Sequence, residues 1–218
     1  MSAVTPLTTF LFDLDGTLLD SVRLILDSYH YTTDKHALPR RTDAEWLAGL
    51  GTPLRVQFRD AVRPDLSMDQ LVATYREFNL SNHDAMARAY PGVVDVLRQV
   101  RARGVRFGLV TSKNQYGARL GLKLMGIEEE FEVVIGADDV VEPKPHPEPV
   151  LKAMERMKVR REETVYIGDS VHDMESGRAA GVRTAGVLWG PFTRPELERT
   201  KPDFWLERPE QLLRLVDG

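Results

Sequence analysis

The sequence predicts an α/β fold: a three-layer sandwich around a parallel sheet, with an α-helical cap inserted after the first strand. Three observations carry this. The apolar run 10–12 stops abruptly at Asp13 and Asp15, followed by Gly16 and Thr17, which reads as a buried strand entering a turn. From about residue 105 onward, short apolar runs alternate with helical patterns, as right-handed βαβ crossovers require. Between these stretches, strand-like runs are missing and helix signals replace them.

Each element has its own local reason. Asp20 or Ser21 is placed to cap a helix through Val22, Ile25 and Leu26. Thr42, Asp43, Ala44 and Glu45 fit a capping box ahead of Trp46, Leu47 and Leu50; Ser67, Met68, Asp69 and Gln70 fit another ahead of Leu71, Val72, Tyr75 and Phe78. Beyond Tyr90-Pro91-Gly92 the pattern predicts a helix over 93–103, a strand over 105–110 and a helix over 116–125 that Gly126 ends. A strand over 131–135, a helix over 148–158 and a strand over 164–167 follow, then a helix over 172–180 that stops at Gly181. Late strands are predicted at 182–188 and 203–206. The resulting division is a core of residues 1–17 and 89–218 with a helical cap of residues 18–88.

Composition excludes several classes of function. With 42% hydrophobic and 28% charged residues, the chain suits one good-sized domain or a domain with an insertion. Its net charge of -4 exerts no global pull on nucleic acid or an anionic membrane. Cysteine is absent, which removes disulfides, a thiolate nucleophile and a cysteine zinc site. No basic segment precedes an apolar core at the N-terminus, and no apolar run nears the roughly 20 residues of a membrane helix. The expected location is cytoplasmic, and the sequon Asn79-Leu80-Ser81 is read as accidental. No Walker loop, GxGxxG or GxSxG occurs. His30, His36 and His83 fall in the helical block without metal spacing and are expected at the surface or partly packed.

The candidate chemistry gathers at strand ends. In open α/β sheets, ligands sit beyond the carboxyl ends of the strands. Asp13 and Asp15 follow the first predicted strand, Thr111-Ser112-Lys113 the second, and Gly168-Asp169-Ser170 the 164–167 strand, while Lys144 lies in the loop after 131–135. Any one of these fits the ordinary role of a turn residue or helix cap. Asp169 and Asp173 have such a plain reading as N-caps of the 172–180 helix, and Lys144 as an exposed lysine. Four strand ends delivering acids, hydroxyls and a lysine to one rim ask for more. Asp13, Asp15, Asp169 and Asp173 offer an all-oxygen site suited to a hard cation such as Mg²⁺. With the cation and Lys144 cancelling charge, Asp13 can attack phosphorus, and Asp15 can protonate a leaving oxygen and later activate water. Prolines at 143, 145, 147 and 149 stiffen the loop that carries Lys144. Arg40, Arg41, Arg55, Arg59 and Arg63 make the helical block locally basic. Most are read as solvated helix faces, with one or two turned to an anionic substrate.

Asp13-Leu14-Asp15-Gly16-Thr17-Leu18, Thr111-Ser112-Lys113, Lys144-Pro145 and Gly168-Asp169-Ser170-Val171-His172-Asp173 match, in order, the four motifs of the haloacid dehalogenase-like (HAD) phosphatases. The resemblance covers nearly the whole chain, inserted cap included. Within the superfamily the chain resembles the phosphoglycolate phosphatase and bacterial inorganic pyrophosphatase branch; Tyr75-Arg76-Glu77-Phe78-Asn79, His83-Asp84 and Lys201-Pro202-Asp203-Phe204 carry the second likeness. The resemblance implies a Rossmann-like core and a Mg²⁺-dependent phosphohydrolase that works through an aspartyl-phosphate. Asp13 would be nucleophile and metal ligand; Asp15 would be acid/base and bind the metal through its backbone carbonyl. Gly16, Thr111, Ser112 and Lys144 would hold phosphate. Asp169 would ligate the metal, and Asp173 would ligate it or orient a bound water. Arg55 is the first candidate for a cap contact to substrate, with Lys35 and Arg40 behind it. The expected partner is a small phosphorylated molecule, pyrophosphate or 2-phosphoglycolate, with no nucleic acid and no membrane. The alternatives are phosphotransfer to a sugar phosphate and a non-catalytic binding protein on the same scaffold.

Overall fold

The structure, a computed structural model, describes residues 5–217. Its strands are β1 (Thr9–Phe12), β2 (Leu19–Asp20), β3 (Arg88–Ala89), β4 (Arg106–Val110), β5 (Phe131–Ile135), β6 (Thr164–Gly168), β7 (Arg183–Val187) and β8 (Phe204–Leu206). The helices are α1 (Val22–Lys35), α2 (Asp43–Leu47), α3 (Leu54–Gln57), α4 (Met68–Met86), α5 (Val93–Ala102), α6 (Gln115–Leu124), α7 (Glu148–Met157), α8 (Val171–Ala180), α9 (Arg194–Glu198) and α10 (Arg214–Asp217).

Six strands form one parallel sheet in the order β5-β4-β1-β6-β7-β8. β1 is buried along its whole length, as expected of an apolar run with helices on both faces. Phe10 and Phe12 pack toward Leu97 and Val100 of α5 and Leu122 of α6. Leu11 packs on the other side with Val150 and Ala153 of α7 and Ala180 of α8. These are the three layers of the predicted sandwich. Phe12 stands opposite Leu109 of β4 and Ile167 of β6, so β1 ends one residue short of its two neighbours. The chain leaves β1 for β4 on one side and reaches β6 on the other, which makes the end of β1 the switch point where a ligand site is expected.

The segment between β1 and α5 builds a second cluster of its own. α1 and α4 pack along each other and, with Trp46 and Phe58, bury Tyr29, Leu66 and Leu71. Tyr29 and Trp46 stack with ring centroids 4.4 Å apart. Both predicted capping boxes form, at Thr42 with Glu45 and at Ser67 with Gln70.

Three expectations need correction. The 18–104 stretch is not free of strands: β2 and β3 pair antiparallel, Leu19 opposite Ala89, so the two ends of the helical segment run side by side. Two-residue strands show no periodicity for a sequence pattern to catch. Ser21 occupies the N-cap position of α1 but makes no side-chain cap bond; its hydroxyl donates instead to Asp15 Oδ1 at 2.6 Å. His83 is buried rather than at the surface, with Nδ1 2.8 Å from Asp84 Oδ1. Among the described residues, no helix is long and apolar enough to cross a membrane.

Candidate active site

Strand ends and the turns after them assemble the site. β1 delivers Asp13, and the next turn carries Gly16 in the left-handed region at φ +85°, where glycine is tolerated at no steric cost. A Cβ at Gly16 would run into the Asp169 carboxylate. Its N–H donates to the Leu19 carbonyl at 2.9 Å, so the amide is already taken. Gly16, expected among the phosphate binders, contributes by letting the turn lie against Asp169.

At the base of the site, Asp13, Asp169 and Asp173 are buried, and a ligand atom from each lies within 4.8 Å of the others. Lys144 is buried with them, its Nζ 3.1 Å from Asp13 Oδ1 and 2.6 Å from Asp173 Oδ1. The Tyr166 hydroxyl lies 2.8 Å from the Val110 carbonyl and 2.9 Å from Asp173 Oδ1, and Ser170 donates to Asp173 Oδ2 from its N–H at 3.0 Å and its hydroxyl at 2.6 Å. The plain reading of Asp169 and Asp173 as N-caps is corrected: Ser170 is the N-cap of α8, and Asp173 closes the capping box from the N3 position. Asp169 Oδ1 accepts from the Thr17 hydroxyl at 2.8 Å, whereas Asp169 Oδ2 is buried with no hydrogen-bond partner among the described residues.

Burial and crowding shift these groups in opposite directions. Burial, with the Asp173 charge adding to it and Lys144 opposing, pushes the Asp13 carboxyl from 3.8 up to about 7. Burial, followed by the charges of Asp173 and Asp13, holds Asp169 well above the usual carboxylate range. Burial also acts to raise Asp173, but the Lys144 charge and the bonds from Lys144 and Ser170 outweigh it and bring the carboxyl below its usual value. Burial alone would lower Lys144; Asp13 and Asp173 overcome it and raise the ammonium above its ordinary range. One cation thus faces three acids. An orphaned buried carboxylate oxygen, three clustered carboxylates and a deficit of positive charge fit a hard divalent cation.

The Asp15 carboxylate stands apart from that cluster, which corrects the reading of four carboxylates converging on one cation. Lys113 Nζ donates to both its oxygens, at 2.8 and 3.0 Å, and Ser21 donates to Oδ1. Sequence reasoning missed this Lys113 contact, although it singled out the tripeptide. Asp13 and Asp15 both line a cavity of about 290 Å³. Thr111, Ser112 and Lys113 wall it from the sheet side, and residues of α1, α3 and α4 cover it from above. The Ser112 hydroxyl donates to the Gly51 carbonyl, which ties the loop before α3 to the sheet.

Of the expected cap contacts, Arg55 lines the cavity, but its guanidinium is bonded to Asp69. Lys35 and Arg40 do not line it; they pair with Glu77 and Asp34 on exposed faces. Arg76 lines the cavity; the sequence singled it out only within the Tyr75–Asn79 likeness and not as a substrate contact. Its place in the α4 stripe with Val72, Tyr75 and Asn79 was the available signal.

A sheet switch point holding clustered acids and a lysine beside a covered cavity defines a class of protein, and the sequence comparisons give it a family. The sequence model of the haloacid dehalogenase-like hydrolases matches residues 10–187. The chain belongs to that family and is a phosphohydrolase within it. It is 39% identical over 210 residues to the pyrophosphatase PpaX of Anoxybacillus flavithermus, covering 96% of this chain and 97% of that one. It is 40% identical to the pyrophosphatase PpaX of Bacillus pumilus, covering 96% of both. The solved structure of a haloacid dehalogenase-like hydrolase from Streptococcus pneumoniae superposes with a TM-score of 0.81 at 26% identity, over 95% of this chain and 97% of that one.

Proposed function

We propose that the chain hydrolyses inorganic pyrophosphate through a phosphorylated Asp13. The observation that carries this is the buried group of Asp13, Asp169, Asp173 and Lys144, of which only Asp13 reaches the cavity. Asp13 attacks phosphorus, a bond forms from its carboxylate oxygen, and the bridging P–O bond breaks as phosphate leaves. Asp15 donates a proton to the leaving oxygen and afterwards accepts one from the water that cleaves the acyl phosphate. Thr111 and the Ser112 amide hold the non-bridging oxygens, and Lys144, 3.1 Å from Asp13 Oδ1, balances the charge of the nucleophile from below.

Asp13 and Asp169, with the Asp15 carbonyl, are the groups to hold Mg²⁺, which supplies charge neutralisation at the phosphoryl group. Asp173 works at one remove. Its Oδ1 accepts from Lys144 and its Oδ2 from the N–H and hydroxyl of Ser170, so it anchors Lys144. Residues 18–88 act as a cap that covers the cavity and keeps bulk water out. Two relatives named pyrophosphatases, each matched over nearly its full length, favour pyrophosphate over 2-phosphoglycolate.

The test is phosphate release by purified protein, with and without Mg²⁺, from pyrophosphate, 2-phosphoglycolate and a panel of sugar phosphates. Expected are Mg²⁺-dependent turnover, a preference for pyrophosphate above about tenfold in kcat/KM, and a loss of about 10⁴-fold or more in Asp13→Asn. A preference for phosphoglycolate would replace the substrate. A phosphoenzyme that persists until a sugar phosphate is added would replace the reaction.

A further inference from the structure

One wall of the cavity comes from a single face of α4. Val72, Tyr75, Arg76, Asn79 and Leu80 all line it, spaced as one helical stripe. Apart from Arg76, that stripe offers apolar groups, a tyrosine and a buried asparagine bonded to the Ser28 hydroxyl. The other cations at the site are each engaged by a carboxylate: Lys113 by Asp15, Lys144 by Asp13 and Asp173, Arg55 by Asp69. The neighbouring acid Glu77 is bonded to Lys35. Arg76 alone among these cavity cations has no acidic partner among the described residues. Arg76 is exposed where it lines the cavity, so its guanidinium, with no counter-ion among the described residues, is available to an anion that arrives with the substrate.

We infer that Arg76 is a specificity-determining residue that takes a second anionic group, next to the phosphoryl group held over Asp13. This deepens the function proposed above and rests on it for the seat of the scissile phosphorus. The ligand class is a phosphate bearing a further anion a few bonds away: the distal phosphate of a diphosphate, or the carboxylate of a short phosphorylated acid. Either group pairs with both arms of a guanidinium in one plane, which an ammonium cannot reproduce. A phosphate monoester with a neutral tail leaves Arg76 unused. The site therefore selects doubly anionic phosphates.

The experiment compares wild type, Arg76→Ala and Arg76→Lys for kcat/KM on pyrophosphate, 2-phosphoglycolate and p-nitrophenyl phosphate. In Arg76→Ala the pyrophosphate to p-nitrophenyl phosphate ratio falls about 10- to 100-fold, and Arg76→Lys recovers part of it. A fall for pyrophosphate alone assigns the distal phosphate; an equal fall for phosphoglycolate assigns any second anion. A ratio that stays within about twofold overturns the inference, whether all rates drop together or none does. Calorimetric titration with imidodiphosphate and with orthophosphate, at fixed Mg²⁺, reads the same selection without turnover. Wild type prefers imidodiphosphate, and Arg76→Ala loses that preference; an unchanged preference overturns the inference. If Asp13→Asn retains full activity while Arg76→Ala loses imidodiphosphate selectivity, the phosphoenzyme reading fails and the role of Arg76 stands.

Discussion

Charge is handled in opposite ways at the rim of the sheet and in the helices above it. At the rim, Asp13, Asp169, Asp173 and Lys144 are all buried and lie in contact with one another or with buried donors. In the helical layer the buried core is built on Tyr29, Trp46, Phe58 and Leu71, with uncharged polar groups such as Thr32 and Asn79 buried beside it, and the ion pairs Arg23–Asp43, Lys35–Glu77 and Arg55–Asp69 face solvent. Exposed pairs contribute little to stability, whereas removing one partner of a buried pair leaves a charge stranded in low dielectric. The rim is therefore electrostatically constrained and suits unchanging chemistry. The helical layer is held by apolar packing, so its surface charges are free to be set by what the cavity receives.

The largest effect expected from this contrast is on Lys144. Lys144→Met removes the one cation facing the buried acids and lowers the unfolding free energy of metal-free protein by about 3–5 kcal/mol. Arg55→Ala, which breaks an exposed pair in the helical layer, changes it by about 0–1 kcal/mol. Urea titrations of the two variants measure both, and comparable losses would erase the distinction.

The pH dependence of stability sharpens the same comparison. The Asp13 pKa rises from 3.8 when unfolded to about 7 when folded, and that of Asp169 is raised as well. The folded state then binds more protons than the unfolded state between those values, so metal-free stability falls as pH climbs from about 4 to about 7. Asp173, lowered, acts with the opposite sign but only below its usual value. With Mg²⁺ held by the ionised acids as proposed, the rise in Tm that it confers is expected to be larger at pH 8 than at pH 5. An equal rise at both would place the cation elsewhere.

A smaller effect is expected where the two regions touch. Gly51 has φ +92°, and a Cβ there would lie 2.8 Å from Ser170 Oγ. Gly51→Ala strains the loop by about 1 kcal/mol and lifts it from the Ser112 hydroxyl. The expected result is a fall of about three- to tenfold in kcat/KM for pyrophosphate with a minor change in Tm. If activity holds, the contact between Ser112 and Gly51 does not position the cover.

Much of this was legible in the sequence, and the rest was not, for identifiable reasons. β1 and β6, buried along their whole length, were readable because such strands are apolar almost throughout, and β4, β5, β7 and β8 because short apolar runs in them alternate with helical patterns. Asp13, Asp169 and Lys144 were readable because ionisable groups that follow such strands are delivered to the sheet edge where ligands bind. β2 and β3 are too short to carry a period. Ser21 sits at the N-cap of α1 but its hydroxyl donates to Asp15 instead of accepting from the first turn, and sequence spacing names only the local N–H groups, not the Asp15 carboxylate. The Lys113–Asp15 pair joins residues 98 positions apart, and nothing in the apolar pattern of β6 signals that the Tyr166 hydroxyl lies 2.9 Å from Asp173 Oδ1.

The amino-acid sequence by itself determined the alternation of strands and helices, the helical insertion and the set of groups at the strand ends. These follow from periodicity, capping and the cost of burying charge, all of which act over a few residues. Only the tertiary structure decided which carboxylates cluster, that Asp15 leaves the cluster for Lys113, that the Gly16 amide is taken, and that Arg76 rather than Lys35 or Arg40 reaches the cavity. Those outcomes depend on strand register and on the direction of each side chain. Both are set by packing between segments far apart in the chain.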